Sequence, residues 1–195
     1  MPASLAPFGL QPVRAMTPQT TNFAPNIYTI AYNNSHTFGQ GDLVQMSGGY
    51  MDGAVAYNTA PVLGVFNQCF YQPANPATVL TPNYNIQWNA PSLASTTTVT
   101  GWVWDSRDIV FRIQANGTCS QTMIGLNATI VANANASNGY SQVSLDVVTH
   151  APATTSTYPM RIVGVWQGVN NALTDAYPIL EVMLNDTNLW TTTGQ

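Results

Sequence analysis

Two histidines, eight carboxylates and two cysteines hold most of the reactive chemistry available to this 195-residue chain. His36 lies among Asn33, Asn34, Ser35 and Thr37, which reads as a polar loop. His150 follows a strand-like run and precedes Ala151-Pro152. A catalytic histidine needs a nucleophile on one side and an orienting carboxylate on the other. Asp146 and one of the serines supply these to His150 only on paper, because no serine stands in a Gly-x-Ser-x-Gly elbow. Trp104-Asp105-Ser106-Arg107-Asp108 brings two carboxylates close in sequence, as a glycosidase pair or the start of a calcium loop would. The dense alternation of an EF-hand is missing, so the expected role is a turn whose aspartates cap backbone N–H groups, with Arg107 pairing locally. Cys69 and Cys119 have neither CxxC nor Cys/His spacing, which gives no zinc site. Both are expected as reduced thiols in a protein made in cytoplasm. Gly39-Gln40-Gly41-Asp42 precedes a strand rather than a helix, so it is not a phosphate cradle. The expectation is a non-enzyme with no catalytic residue, no cofactor and no metal site.

Charge narrows the partners. Charged residues make up 6% of the chain, where about 25% is usual. There is no lysine, and the four cations Arg14, Arg107, Arg112 and Arg161 are scattered. Phosphate neutralisation takes clustered cations, so neither direct nucleic-acid binding nor docking on an anionic membrane is expected. No basic, then apolar, leader opens the sequence, and no run approaches 18 apolar residues. A nearly neutral polar surface favours association over repulsion.

The elements around these residues read as strands. The stretches 27–32, 42–46, 54–57, 62–66, 98–104, 109–114, 141–148, 160–166 and 179–184 are short and rich in β-branched and aromatic residues. Gly, Pro, Asn or Asp bounds each. In 109–114, Phe111 and Ile113 fall on the face expected to be core, with Val110, Arg112 and Gln114 opposite. Asn116-Gly117 is placed to close a hairpin onto 119–124, and Asn138-Gly139 to introduce the 141 run. No stretch has a helical face of ten residues; 128–137 comes nearest. The fold class is therefore all-β, a sandwich or barrel of about nine to eleven short strands. Residues 61–68 and 161–168 share the order apolar, apolar, Gly, Val, aromatic, polar, which would suit equivalent strands of a pseudo-symmetric barrel. The chain is not divided on that echo.

Two segments stand apart. Residues 1–25 contain Pro2, Pro7, Pro12, Pro18 and Pro25, which favour an extended arm. The arm also carries Phe8, Leu10, Val13 and Phe23, apolar groups suited to a partner. Residues 72–95 form a Pro-rich loop with Tyr84 and Trp88, aromatics typical of protein contacts. These six residues are the candidate partner-binding set. The rest, 26–190, is the expected β domain, with 191–195 a tail.

Particular strings resemble a family of tailed-bacteriophage virion proteins. They are the opening Met1-Pro2-Ala3-Ser4-Leu5-Ala6-Pro7-Phe8-Gly9-Leu10-Gln11-Pro12-Val13, then Leu63-Gly64-Val65-Phe66. Asp108-Ile109-Val110-Phe111-Arg112-Ile113-Gln114-Ala115-Asn116-Gly117 and Gln121-Thr122-Met123-Ile124-Gly125 follow in the same order, with Ser144-Leu145-Asp146 and Asp175-Ala176-Tyr177 near the end. The lack of lysine and the 72–95 stretch depart from that pattern. The resemblance implies a capsid cement or decoration protein, made in the host bacterial cytoplasm and carried on the virion surface. Its partners would be the major capsid protein and further copies of itself, in a trimer at three-fold positions. Alternatives in view are another virion component, such as a head fibre or tail-associated protein, and a carbohydrate-binding β-sandwich using Tyr84, Trp88, Trp102, Trp104 and Trp166.

Overall fold

Alternation of side chains sets the architecture. In β9 (Val99–Trp104), Val99, Gly101 and Val103 are buried while Thr100, Trp102 and Trp104 face outward. In β10 (Ile109–Gln114), Phe111 and Ile113 are fully buried, as their spacing predicts, and Val110 is buried as well. The computed structural model describes residues 4–17, 23–53, 61–71, 83–90, 93, 95, 97–132, 138–185 and 187. Among these the fold is all-β, with fourteen strands and one 3-10 turn at Gln121–Met123.

Two barrel-like sheets carry the core. Barrel A is a ring of β2 (Asn26–Ile30), β5 (Tyr50–Gly53), β4 (Leu43–Ser47), β6 (Gly64–Tyr71) and β9, with β7 (Asn83–Asn85) added beside β6. Barrel B runs β10, β14 (Ile179–Leu184), β13 (Met160–Val165), β11 (Asn127–Val131) and β12 (Ser144–Asp146). A parallel bridge between Ala115 and Leu145 brings β12 back to the end of β10. Barrel A encloses Ile30, Val44, Met51, Phe66, Cys69, Val99 and Val103, with Phe38 and Trp88 of the small β3 (Thr37–Gly39) and β8 (Gln87–Asn89) pair sealing it. Barrel B encloses Phe111, Ile113, Ile130, Leu145, Met160, Ile162, Leu180 and Val182. Each such side chain contributes roughly 1.5–3 kcal/mol when fully buried.

The two rings are repeats of one another. Numbering the strands of each ring in chain order, both close as first, third, second, fourth, fifth, first. In both, the first and third strands are parallel, and every other contact is antiparallel. The register agrees residue by residue. Ile30 pairs with Met51 as Ala115 pairs with Leu145, and Met51 pairs with Met46 as Leu145 pairs with Ile130. The bulge between Phe66 and Gln68 matches the one between Ile162 and Gly164. The strands bearing the Gly-Val-aromatic echo do hold equivalent places. Their register, however, sets Gly64 against Met160, four residues away from the echo.

The barrels meet over a mixed seam. Leu43 and Val65 of barrel A, with Val62 just before β6, belong to the apolar cluster of barrel B, and Leu10 joins them. Beside them Ser141 Oγ donates to Asp42 Oδ1 at 2.5 Å, and Asp42 Oδ2 accepts the Gly39 N–H. Gly9, at φ 74°, lies so close that a Cβ would come within 2.5 Å of the Ser141 Cβ.

Several expectations change. The described part of the arm, 4–17 and 23–25, is built into the fold: β1 (Gln11–Ala15) pairs antiparallel with β10. Pro12 is compatible with that because β1 is an edge strand, where a missing N–H costs no ladder bond. The 72–95 loop contains β7 and β8, and the strand count is fourteen where nine to eleven were expected. Residues 119–124 contain the 3-10 turn at Gln121–Met123 and no second hairpin limb. Instead the Asn116 side chain turns onto Asp146. The expected strand 54–57, all of 72–82 and the tail 191–195 lie outside the described residues.

Candidate functional site

The reactive side chains assemble into two copies of one cluster. Asp52 follows Met51 on β5, and Asp146 follows Leu145 on β12, immediately after the residue that closes each ring. Asn34 donates from Nδ2 to Asp52 Oδ1 at 2.8 Å, and Asn116 donates likewise to Asp146 Oδ1 at 3.1 Å. His36 Nδ1 lies 2.7 Å from Asp52, and His150 Nδ1 lies 2.8 Å from Asp146. Asp146 is buried and also accepts the backbone N–H groups of Val148, Thr149 and His150. Burial alone pushes its pKa up, but hydrogen bonds from the His150 side chain, Thr149, Asn116 and Val148 outweigh this and hold it below the ordinary carboxylate value. An ionised carboxylate only accepts, so His150 Nδ1 carries a proton.

This geometry clamps the chain where each ring is thinnest, at its single parallel contact. Asp146 has most of its lone pairs engaged by the turn that follows it, and no serine hydroxyl is bonded to either imidazole among the described residues. His36 does border a cleft of about 210 Å³ with Ser35, Ser47, Tyr50 and Asp52. No group of three His, Cys, Asp or Glu is placed to hold a metal ion among the described residues. Asp105 is not a cap of its own turn. It is buried and accepts from both Asn26 Nδ2 and the Tyr28 hydroxyl, tying β2 down. Tyr28 is pushed well above its usual pKa by burial and by that carboxylate. Ser106 caps instead, accepting the Asp108 N–H, while Arg107 donates to the Asn185 carbonyl. Both cysteines are free thiols, Cys69 inside barrel A and Cys119 partly covered.

The six predicted partner-binding residues divide. Leu10 and Trp88 are corrected: at 1% and 0% exposure they are core, and Trp88 Nε1 donates to the Asn34 carbonyl. Their apolar bulk was drawn inward because neighbouring strands close over them. Phe8 is half-buried with its ring on the Arg112 guanidinium, which also lies over Trp166. Phe23 packs against the barrel B cluster, and Val13 is half-buried at the β1 bulge. Tyr84 remains outward, 63% exposed.

Around Tyr84 lies a surface that joins Trp102, already a candidate aromatic in the sequence, to Ile27 and Phe70, which the sequence did not single out. Its ring is 5.0 Å from Phe70 and 6.1 Å from Trp102. Trp102 is the register partner of Ile27, itself 62% exposed. Ile27, Phe70, Tyr84 and Trp102 thus make one uncharged face on the outside of barrel A. The equivalent positions of barrel B carry Arg112 for Ile27, Glu181 for Trp102 and Trp166 for Phe70. There the chain's own start lies against Arg112 and Glu181: Gln11 accepts from Arg112, Arg14 pairs with Glu181 at 2.6 Å, and the Ala6 N–H bonds Gln114 nearby. A period-two reading marks Ile27 and Trp102 as neighbours only once β2 and β9 are known to pair. No family model, curated protein or solved structure matches this chain, so the likeness to tailed-phage virion proteins rests on the strings quoted above.

Proposed function

We propose that the chain is a structural, non-enzymatic virion protein that binds the outer surface of a phage capsid and cements neighbouring major capsid protein subunits. The observation that carries this reading is the uncharged face of exposed Ile27 and Tyr84 with half-buried Phe70 and Trp102 on barrel A, which among the described residues has no strand over it, while the chain's own start lies against the equivalent Arg112 and Glu181. A coat protein needs such a face repeated many times, since many weak contacts on one shell give avidity. Aromatic anchors ringed by neutral polar groups suit that task. In purified particles the copy number should approach that of the shell subunit. Trp102→Ala with Tyr84→Ala should lower the binding of purified chain to undecorated capsids about tenfold or more, equal to ~1.4 kcal/mol. Absence of the chain from particles would sink the proposal.

A carbohydrate-binding reading has one observation in its favour, the outward rings of Tyr84 and Trp102 on a single face. Glycan-array binding lost in the same double variant would favour it over cementing.

A further inference from the structure

The repeat shows what is missing from barrel A. In barrel B, β10 has β14 on one side and β1 on the other, with Gln11 beside Arg112 and Ala15 beside Ile109. In barrel A the equivalent strand is β2. It has β9 on one side and touches β5 only at Ile30. Among the described residues, no strand lies along the rest of that second side. Edges left this way invite another strand, and proteins usually guard them with lysine, a bulge or a cover. β2 has no charged residue and no bulge.

The chemistry says which strand fits. β1 meets Arg112 and Glu181 with Gln11 and Arg14. At the matching places barrel A has Ile27 and Trp102, so Arg14 of a second β1 would find no acid there. The missing strand must be neutral, with apolar groups on the outer face. β2 itself meets that description: Asn26, Ile27, Tyr28 and Thr29 are uncharged, and Ile27 points outward at 62% exposure.

We infer that β2 pairs antiparallel with β2 of a second copy of this chain across a two-fold axis. Antiparallel pairing keeps both outer faces on one side and sets Ile27 opposite Ile27 or Thr29 of the other copy. Pro25 has no N–H, so the ladder runs from Asn26. The contact is two-fold where the resemblance implies a three-fold, and it does not depend on binding to a capsid.

The test is sedimentation of the full-length chain over a range of concentrations, with hydrogen exchange read at Ile27, Tyr28 and Thr29. A dimer is expected, with the amides that point away from β9, every second one along β2, slowing as dimer forms. Ile27→Lys, which places a charge on an exposed edge, should raise the dissociation constant at least tenfold and leave the far-ultraviolet circular dichroism of the chain unchanged. Ile27→Val should dimerise like the parent. A parent chain that stays monomeric at its highest soluble concentration overturns the inference, as does an Ile27→Lys chain that dimerises undiminished. Amides that slow only when capsids are added would mean that a foreign strand fills the edge, and the second-copy assignment then falls. Capsid binding is scored separately, so either proposal can fail without the other.

Discussion

Asp52 and Asp146 hold the same place in two successive barrels, and each takes an asparagine amide and a histidine Nδ1. The pair of clamps secures the parallel contact at which each ring closes. Asp146 is the more deeply engaged, with three backbone N–H groups in addition. Asp146→Ala is expected to cost about 1–3 kcal/mol, because it strands donors that are removed from water. Urea unfolding at neutral pH measures this directly, and an unchanged midpoint would dismiss the clamp.

The same carboxylate predicts a pH dependence. Its pKa is lower in the folded chain than the ordinary 3.8. The stability it supplies is therefore complete above the ordinary value and disappears as pH falls through the folded one. The gap between parent and Asp146→Asn should be widest near neutrality and shrink on acidification below the ordinary value. A gap that grows on acidification would reverse the sign and contradict the assignment.

Leu10 ties the beginning of the chain to the seam between barrels. Leu10→Ala should cost about 2–5 kcal/mol by opening a cavity among Leu43, Val62 and Val65. Removing residues 1–16 should destabilise barrel B as well, since it strips β1 from β10 and uncovers Arg112 and Glu181. A truncated chain that melts with the parent's midpoint would return the segment to the role of a detachable arm.

Gly64 has backbone on two sides. An added Cβ would lie 2.5 Å from the Trp104 carbonyl and 2.9 Å from the Asp105 Cα. Gly64→Ala should cost about 1–3 kcal/mol or more, as overpacking against main chain does. Thermal unfolding of that variant decides the point.

Burial pushes Cys69 up to about 12 and Cys119 up to about 11. Little thiolate is present at pH 8, so a thiol-specific reagent should modify Cys119 slowly and Cys69 only when the chain unfolds. Rapid modification of both in the folded protein would show that barrel A opens readily.

The strands themselves were legible. Phe111 and Ile113 declare the core face of β10 by their spacing, whereas the burial of Gln114 on the opposite face, bonded to Ser4, Ala6 and Tyr177, was not legible. The repeat was not legible, because equivalent positions share size class more than identity: Ile30 stands for Ala115, and Gly64 for Met160. The visible echo at Gly64 and Gly164 marks the right strands in the wrong register. The opening prolines misled for a physical reason. Proline forbids the inside of a sheet but not its rim, and β1 lies on the rim. Trp88 reads as a loop anchor in the sequence because the register of Thr37–Gly39 with Gln87–Asn89, which draws it inside, joins residues some fifty apart.

The pairing of Arg14 with Glu181 spans 167 residues. Between them, β10 must have β14 beside it before that ion pair can exist, and β14 is the last strand of the ring. A ribosome releases β1 first, yet nearly the whole chain must emerge before its partners are complete. Barrel A, whose five strands end at Trp104, has no such wait. Folding should proceed in two stages, with barrel A forming early and the first strand idling until barrel B closes. Such non-local pairing places the second stage on the slow side of the scale, in milliseconds to seconds.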